Sequence, residues 1–187
     1  MIAAFGWLLN YRLRHNTGTE QLSRLLTEEQ LSYLEDKKYI PVMILDLLGK
    51  WISEQNRKKY IDNIVWVAMD KQLNHFSQIV GGCERISNTP LPFAYSVLLH
   101  RTVYFYCFWL PFGLVDSLGW MIPVVVLLIS YTFIALDAII QEIEEPFGEK
   151  ENDLALNTIC QSIEYSIFEQ AQIPQEEYKP SGSYFID

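Results

Sequence analysis

The sequence predicts an all-α, helical membrane protein: a transmembrane helix hairpin between two helical polar flanks. Three observations predict it. A run of twenty residues, Ser117–Leu136, contains no charged side chain. A second apolar stretch, Pro92 to Val115, precedes it and is broken only by His100 and Arg101. Elsewhere apolar residues recur at helical spacing, and no strand alternation or βαβ pattern appears.

The N-terminal flank comes first. Met1 to His15 starts apolar, but no basic residue precedes the run, so it is not a signal peptide and reads as part of a helix. Thr27-Glu28-Glu29-Gln30 is a capping-box pattern ahead of Leu31 and Leu34. Pro41 fits a first helical turn, with Val42, Leu45, Leu48 and Ile52 on one face. Asn56 to Lys59, with three basic residues, reads as a loop. The longest periodic pattern follows, from Tyr60 to Val80, with Gly81-Gly82 as its expected stop.

The hairpin comes next. A twenty-residue helix is about 30 Å long, the thickness of a bilayer's hydrocarbon core. Trp120 stands near one end of Ser117–Leu136 as an interface residue would, and Pro123 fits a first turn. Asp116 to Gly119 is the expected tight turn between the two spans. His100 and Arg101 belong at headgroup level or facing a protein interior or a pore, since a charge at mid-membrane is costly. Basic residues before the hairpin put the N-terminal flank in the cytoplasm, and two spans return the C-terminal flank to the same side. That gives three regions: 1–90 cytosolic, 91–145 transmembrane and 146–187 cytosolic. In the last, Asn152 or Asp153 is expected to cap a helix with Leu154, Leu156, Ile159, Ile163 and Ile167 apolar. The tail from Gln172 to Asp187 is rich in Pro, Ser and Gly.

Charge and motif content narrow the function. Residues 1–101 hold 12 Lys/Arg against 10 Asp/Glu, and residues 102–187 hold 2 against 13. No basic surplus of the kind nucleic-acid binding requires exists. Cys83, Cys107 and Cys160 form no C-x-x-C pair, which argues for reduced thiols rather than disulfides or zinc. His15, His75 and His100 fall at unrelated spacings, and no phosphate-binding, nucleophile-elbow or zinc-protease motif is present. No cofactor, metal site or enzymatic activity is therefore expected. On spacing alone, Glu142, Glu144 and Glu145 read as a solvated acidic helix end, with a cation-holding role as the sharper alternative.

Several blocks carry a family resemblance. They are Gly82-Cys83-Glu84-Arg85-Ile86, then Asn88-Thr89-Pro90-Leu91-Pro92-Phe93-Ala94-Tyr95, His100-Arg101-Thr102 and Leu110-Pro111-Phe112-Gly113. The most specific is Glu142-Ile143-Glu144-Glu145-Pro146-Phe147-Gly148, closed by Asn152-Asp153-Leu154. With these the chain resembles the bestrophin family of ion channels, in its bacterial branch. The resemblance implies a protomer of a homopentameric barrel around one axial pore in the cell membrane, multi-pass in the bacterial inner membrane. Its partners would be lipid, copies of itself and permeant monovalent ions. The family label is chloride channel, although bacterial members look cation-conducting.

The same resemblance places a cytosolic constriction near Val67, with Ile64 one turn earlier, and makes Glu142, Glu144 and Glu145 candidates for an acidic ring. It covers the C-terminal two-thirds of a family protein, whose first two membrane helices, including the one that forms the neck, would precede Met1. A truncated chain of this kind is expected to conduct poorly. Lys150 interrupts the acidic run that forms a calcium clasp in animal members, so calcium gating is not expected to carry over. The alternative reading is a non-conducting membrane interaction protein or a fragment of such a channel, with the hairpin as an anchor.

Overall fold

The computed structural model describes residues 1–16, 18, 20–89, 93–150 and 152–173. Among them all regular structure is helical: α1 (Ile2–Leu13), α2 (Glu20–Leu25), α3 (Glu28–Glu35), α4 (Ile40–Arg57), α5 (Asn63–Asn88), α6 (Phe93–Leu118), a 3₁₀ turn (Gly119–Met121), α7 (Ile122–Glu144) and α8 (Leu156–Gln170). They form two compact units. One comprises residues 1–88 and 147–187; the other comprises 89–146. The tail expected from Gln172 onward lies outside the described residues beyond Ile173.

In the first unit, α1 is the central helix, packed on α2, α4, α5 and α8. Its alanines allow close approach: Ala4 is fully buried, beside Phe5, Trp7 and Leu8. These join Leu34 of α3 and Ile44, Leu45 and Leu48 of α4 in one apolar cluster that also takes Val80 of α5 and Cys160 of α8. The expected capping box is present at α3: Gln30 N donates to Thr27 Oγ1 at 3.4 Å, and Thr27 N donates to Gln30 Oε1 at 3.1 Å. Pro41 sits in the first turn of α4. Val42, assigned to the apolar face, is instead 38% exposed.

Three expectations for this unit need correction. α5 does not stop at Gly81-Gly82 but runs through both to Asn88. A mid-helix glycine costs only about 1 kcal/mol, and the last turns are anchored on α1 by Arg12 Nε, 3.3 Å from Glu84 Oε1. The apolar run expected on α8 is also not its packed face. Ile159 and Ile163 are 46% and 40% exposed, while Cys160 and Glu164 are buried against α1. Hydrogen bonds make that possible: Trp7 Nε1 donates to Glu164 Oε2 at 2.7 Å, and Asn10 Nδ2 to Asn157 Oδ1 at 2.6 Å. Nor do Asn152 or Asp153 cap α8, which begins after Ala155 without a side-chain cap. Asp153 Oδ2 accepts from Lys150 N instead, at 2.7 Å.

The second unit is an antiparallel pair, α6 and α7. The turn falls at Gly119–Met121, three residues later than expected, because Gly119 supplies the positive φ of 48°. Asp116 and Ser117 remain helical. Pro123 lies in the first turn of α7. Among the described residues, one helical stretch, Gly119–Glu144, is long and apolar enough to cross a membrane. α6 is long enough, but His100, Arg101, Tyr104, Tyr106 and Trp109 reduce its apolarity. The first residue of that expected span, Pro92, lies outside the described residues.

Candidate functional site

α5 is held along one side only. Leu73 and Phe76 pack against the core, and Val80 is 2% exposed. Gly49 brings α4 close at this point, where a Cβ would lie 3.6 Å from Leu73 Cδ1. Asp62 starts the helix by accepting from Ile64 N at 2.8 Å. With about 100° between successive residues, Ile64 points opposite to Leu73 and Val67 lies about 60° from Ile64. Both are open: Ile64 is 78% and Val67 58% exposed. They are not core residues of this protomer.

The rest of that face escapes a search for apolar positions. Lys71, His75 and Arg85 lie within about 60° of the direction of Ile64, and all three are exposed. The acidic residues of α5, Asp70 and Glu84, point elsewhere. The outward face thus begins apolar and continues basic. A helical wheel drawn around Ile64 would have found it; tracing the apolar stripe alone did not.

The three candidate carboxylates at the end of α7 do not share a face. Glu142 lies about 140° around the helix from the buried Asp137, whereas Glu144 lies within about 20° of it. Accordingly Glu142 is exposed and Glu144 half-buried, and Glu145 is the residue that ends the helix. Among the described residues no group of three or more His, Cys, Asp or Glu side chains is placed to hold a metal ion. Glu151, within the interrupted acidic run, lies outside them.

The hairpin has its own polar centre. Asp137 is the one residue of α7 classed as buried. Its Oδ2 lies 3.2 Å from His100 Nε2 across the helix pair. The Gln141 side-chain nitrogen lies 2.9 Å from His100 Nε2 and 3.4 Å from Asp137 Oδ2. His100 is therefore satisfied by protein, one of the two placements expected for it.

A helical first unit with an open, one-sided helix, and a hairpin carrying an exposed apolar helix, define a helical membrane protein. The chain matches a family model described as bacterial/fungal bestrophin protein over residues 1–169. It belongs to that family. It is 41% identical over 174 residues to the voltage-dependent anion channel-forming protein YneE of Escherichia coli, covering 91% of this chain and 57% of that protein. It is 42% identical over 167 residues to the voltage-dependent anion channel-forming protein RSc3414 of Ralstonia nicotianae, covering 89% of this chain and 55% of that one. A crystal structure of a bacterial bestrophin homologue from Klebsiella pneumoniae superposes with a TM-score of 0.87 at 39% identity, covering 92% of this chain and 64% of that one. The chain thus spans a little over half the length of these two curated relatives and just under two-thirds of the solved structure.

Proposed function

We propose that this chain is the pore-forming part of a homopentameric channel that passes monovalent anions across the bacterial inner membrane. Residues 91–145 form the membrane hairpin, and 1–90 and 146–187 lie on the cytosolic side. The observation that carries this reading is the outward face of α5. Ile64 and Val67 stand open at one end, and the charged residues farther along the same face, Lys71 and Arg85, are both basic. Five copies of such a helix around an axis make an apolar ring that restricts passage by size and dewetting. Lys71 and Arg85 then supply positive charge along the wall, which concentrates anions. The printed names of the relatives support the same sign of charge.

Glu142 and Glu145 are the exposed members of the three carboxylates at the end of α7, and five copies of each would form an acidic ring there. Glu144 lies on the Asp137 side and is half-buried. An acidic ring alone would favour cations, so the two features make opposed contributions, and α5 sets the outcome because its positive face adjoins the narrowest ring.

The test is a reversal potential. The chain is joined to the unmatched part of the Escherichia coli relative and studied in planar bilayers under a KCl gradient. The potential should lie on the chloride side, and Lys71→Glu should move it toward potassium. Absence of current in a correctly inserted protein would favour the non-conducting interaction protein instead.

A further inference from the structure

We propose that a cavity among α1, α2, α3 and α4 is a binding site for a small amphipathic monoanion, a carboxylate with a short apolar tail. The cavity has a volume of about 590 Å³, within the roughly 300–1,000 Å³ range of small-molecule sites. It belongs wholly to the first unit and is separate from the outward face of α5.

Its floor is apolar and well fixed. Leu8, Leu22, Leu34 and Pro41 line it, and each is buried. Water against such a floor gains little, whereas an alkyl or aryl group removes apolar surface from solvent. Its mouth is basic: Arg12, His15 and Lys38 line it, opposed by one acid, Glu35. Arg12 is already engaged, with Nε 3.3 Å from Glu84 Oε1 and its guanidinium 5.3 Å from the centre of the Tyr39 ring. Lys38 and His15 have no ion-pair partner among the described residues, so they are the groups left for an anionic head.

The wall beside His15 is specially built. His15 has a φ of 53°, a left-handed conformation that non-glycine residues rarely adopt. The turn is closed by Asn16 N donating to Tyr11 O at 2.9 Å. Gly18 then passes flat over the Tyr11 ring, where a Cβ would sit 2.1 Å from Cζ. A side chain at this position would push the loop off the ring and open the cavity's edge. Mixed lining, a firm floor and, at one end, Lys38 and His15 without an ion-pair partner among the described residues together match an amphipathic anion.

The experiment is calorimetric titration of the full chain in nanodiscs with octanoate, octylamine and octanol. Octanoate should bind saturably, octanol at least fivefold more weakly, and octylamine not at all. Lys38→Glu should weaken octanoate at least fivefold; its side chain is exposed, so folding is not at stake. Leu22→Trp should abolish binding by filling the floor, with circular dichroism confirming the fold. Lys59→Glu, an exposed lysine outside the cavity, should leave affinity unchanged. Non-saturable uptake, or full affinity in Lys38→Glu, would show bilayer partitioning and overturn the proposal. Equal binding of octylamine, or equal loss in Lys59→Glu, would overturn it too.

Discussion

Removing the Glu164 carboxylate should loosen α8 from α1. Glu164 is 6% and Trp7 4% exposed, and the 2.7 Å bond between them joins helices 157 residues apart in sequence. A hydrogen bond to a charged group contributes about 1.5–3 kcal/mol, and an orphaned buried donor costs about 1–3 kcal/mol. Arg24 also reaches Glu164, at 2.8 Å, but its side chain is 65% exposed, so that pair adds less than about 1 kcal/mol. Glu164→Ala should therefore cost the docked state about 2–3 kcal/mol, mostly through Trp7. Amide hydrogen exchange in α8 reads this directly: about 2–3 kcal/mol is roughly a 30- to 150-fold faster exchange. In a Trp7→Phe background the same substitution should cost at least 1 kcal/mol less, about the worth of one such bond. An equal cost in both backgrounds would refute the coupling. A slower exchange in Glu164→Ala would show instead that burying the carboxylate outweighs its bonds.

Three further outcomes follow from the same packing. Burial pushes the Cys160 thiol up to about 11, so maleimide should label it far more slowly than free cysteine at neutral pH, with a rate that climbs about tenfold per pH unit and levels off only above about pH 11; fast labelling at neutral pH would mean that α8 is undocked. Gly81→Ala should slow exchange in α5 by an amount worth about 0.5–1 kcal/mol, because a Cβ there meets nothing within 4 Å; destabilisation would reveal a neighbour pressed against that position. Thr27→Ala should weaken α3 by about 1 kcal/mol through loss of the capping box, visible as faster exchange at Gln30; no change would show that the box is not formed in solution.

The parts of the fold legible in the sequence were those set by local chemistry. The Thr27–Gln30 box, Pro41, Pro123 and the long apolar helix each follow from residues close in the chain. What stayed hidden depended on distant partners. The burial of Glu164 cannot be read from α8, because the indole that satisfies it lies on α1. For the same reason the exposed Ile159 and Ile163 passed for a core face. Gly81 and Gly82 passed for a stop because their modest cost is offset by contacts of Val80 and Glu84 that the local pattern does not contain. At the candidate site, Ile64 and Val67 are open in this protomer; their place at a constriction is an expectation of the family resemblance, and core residues would carry the same letters. The basic stripe was missed because Lys71, His75 and Arg85 come together only when the helix is wound.

The most direct test of a path along α5 is modification of single cysteines, placed along that helix in a protein whose native Cys83, Cys107 and Cys160 have been replaced. Current is recorded while a charged, membrane-impermeant thiol reagent is applied from the cytosolic side. Ile64→Cys, Val67→Cys and Lys71→Cys should each respond with a rapid change of current, and Leu73→Cys, on the packed side, should not. Rapid block at Leu73→Cys with silence at the other three positions would place the ion path elsewhere.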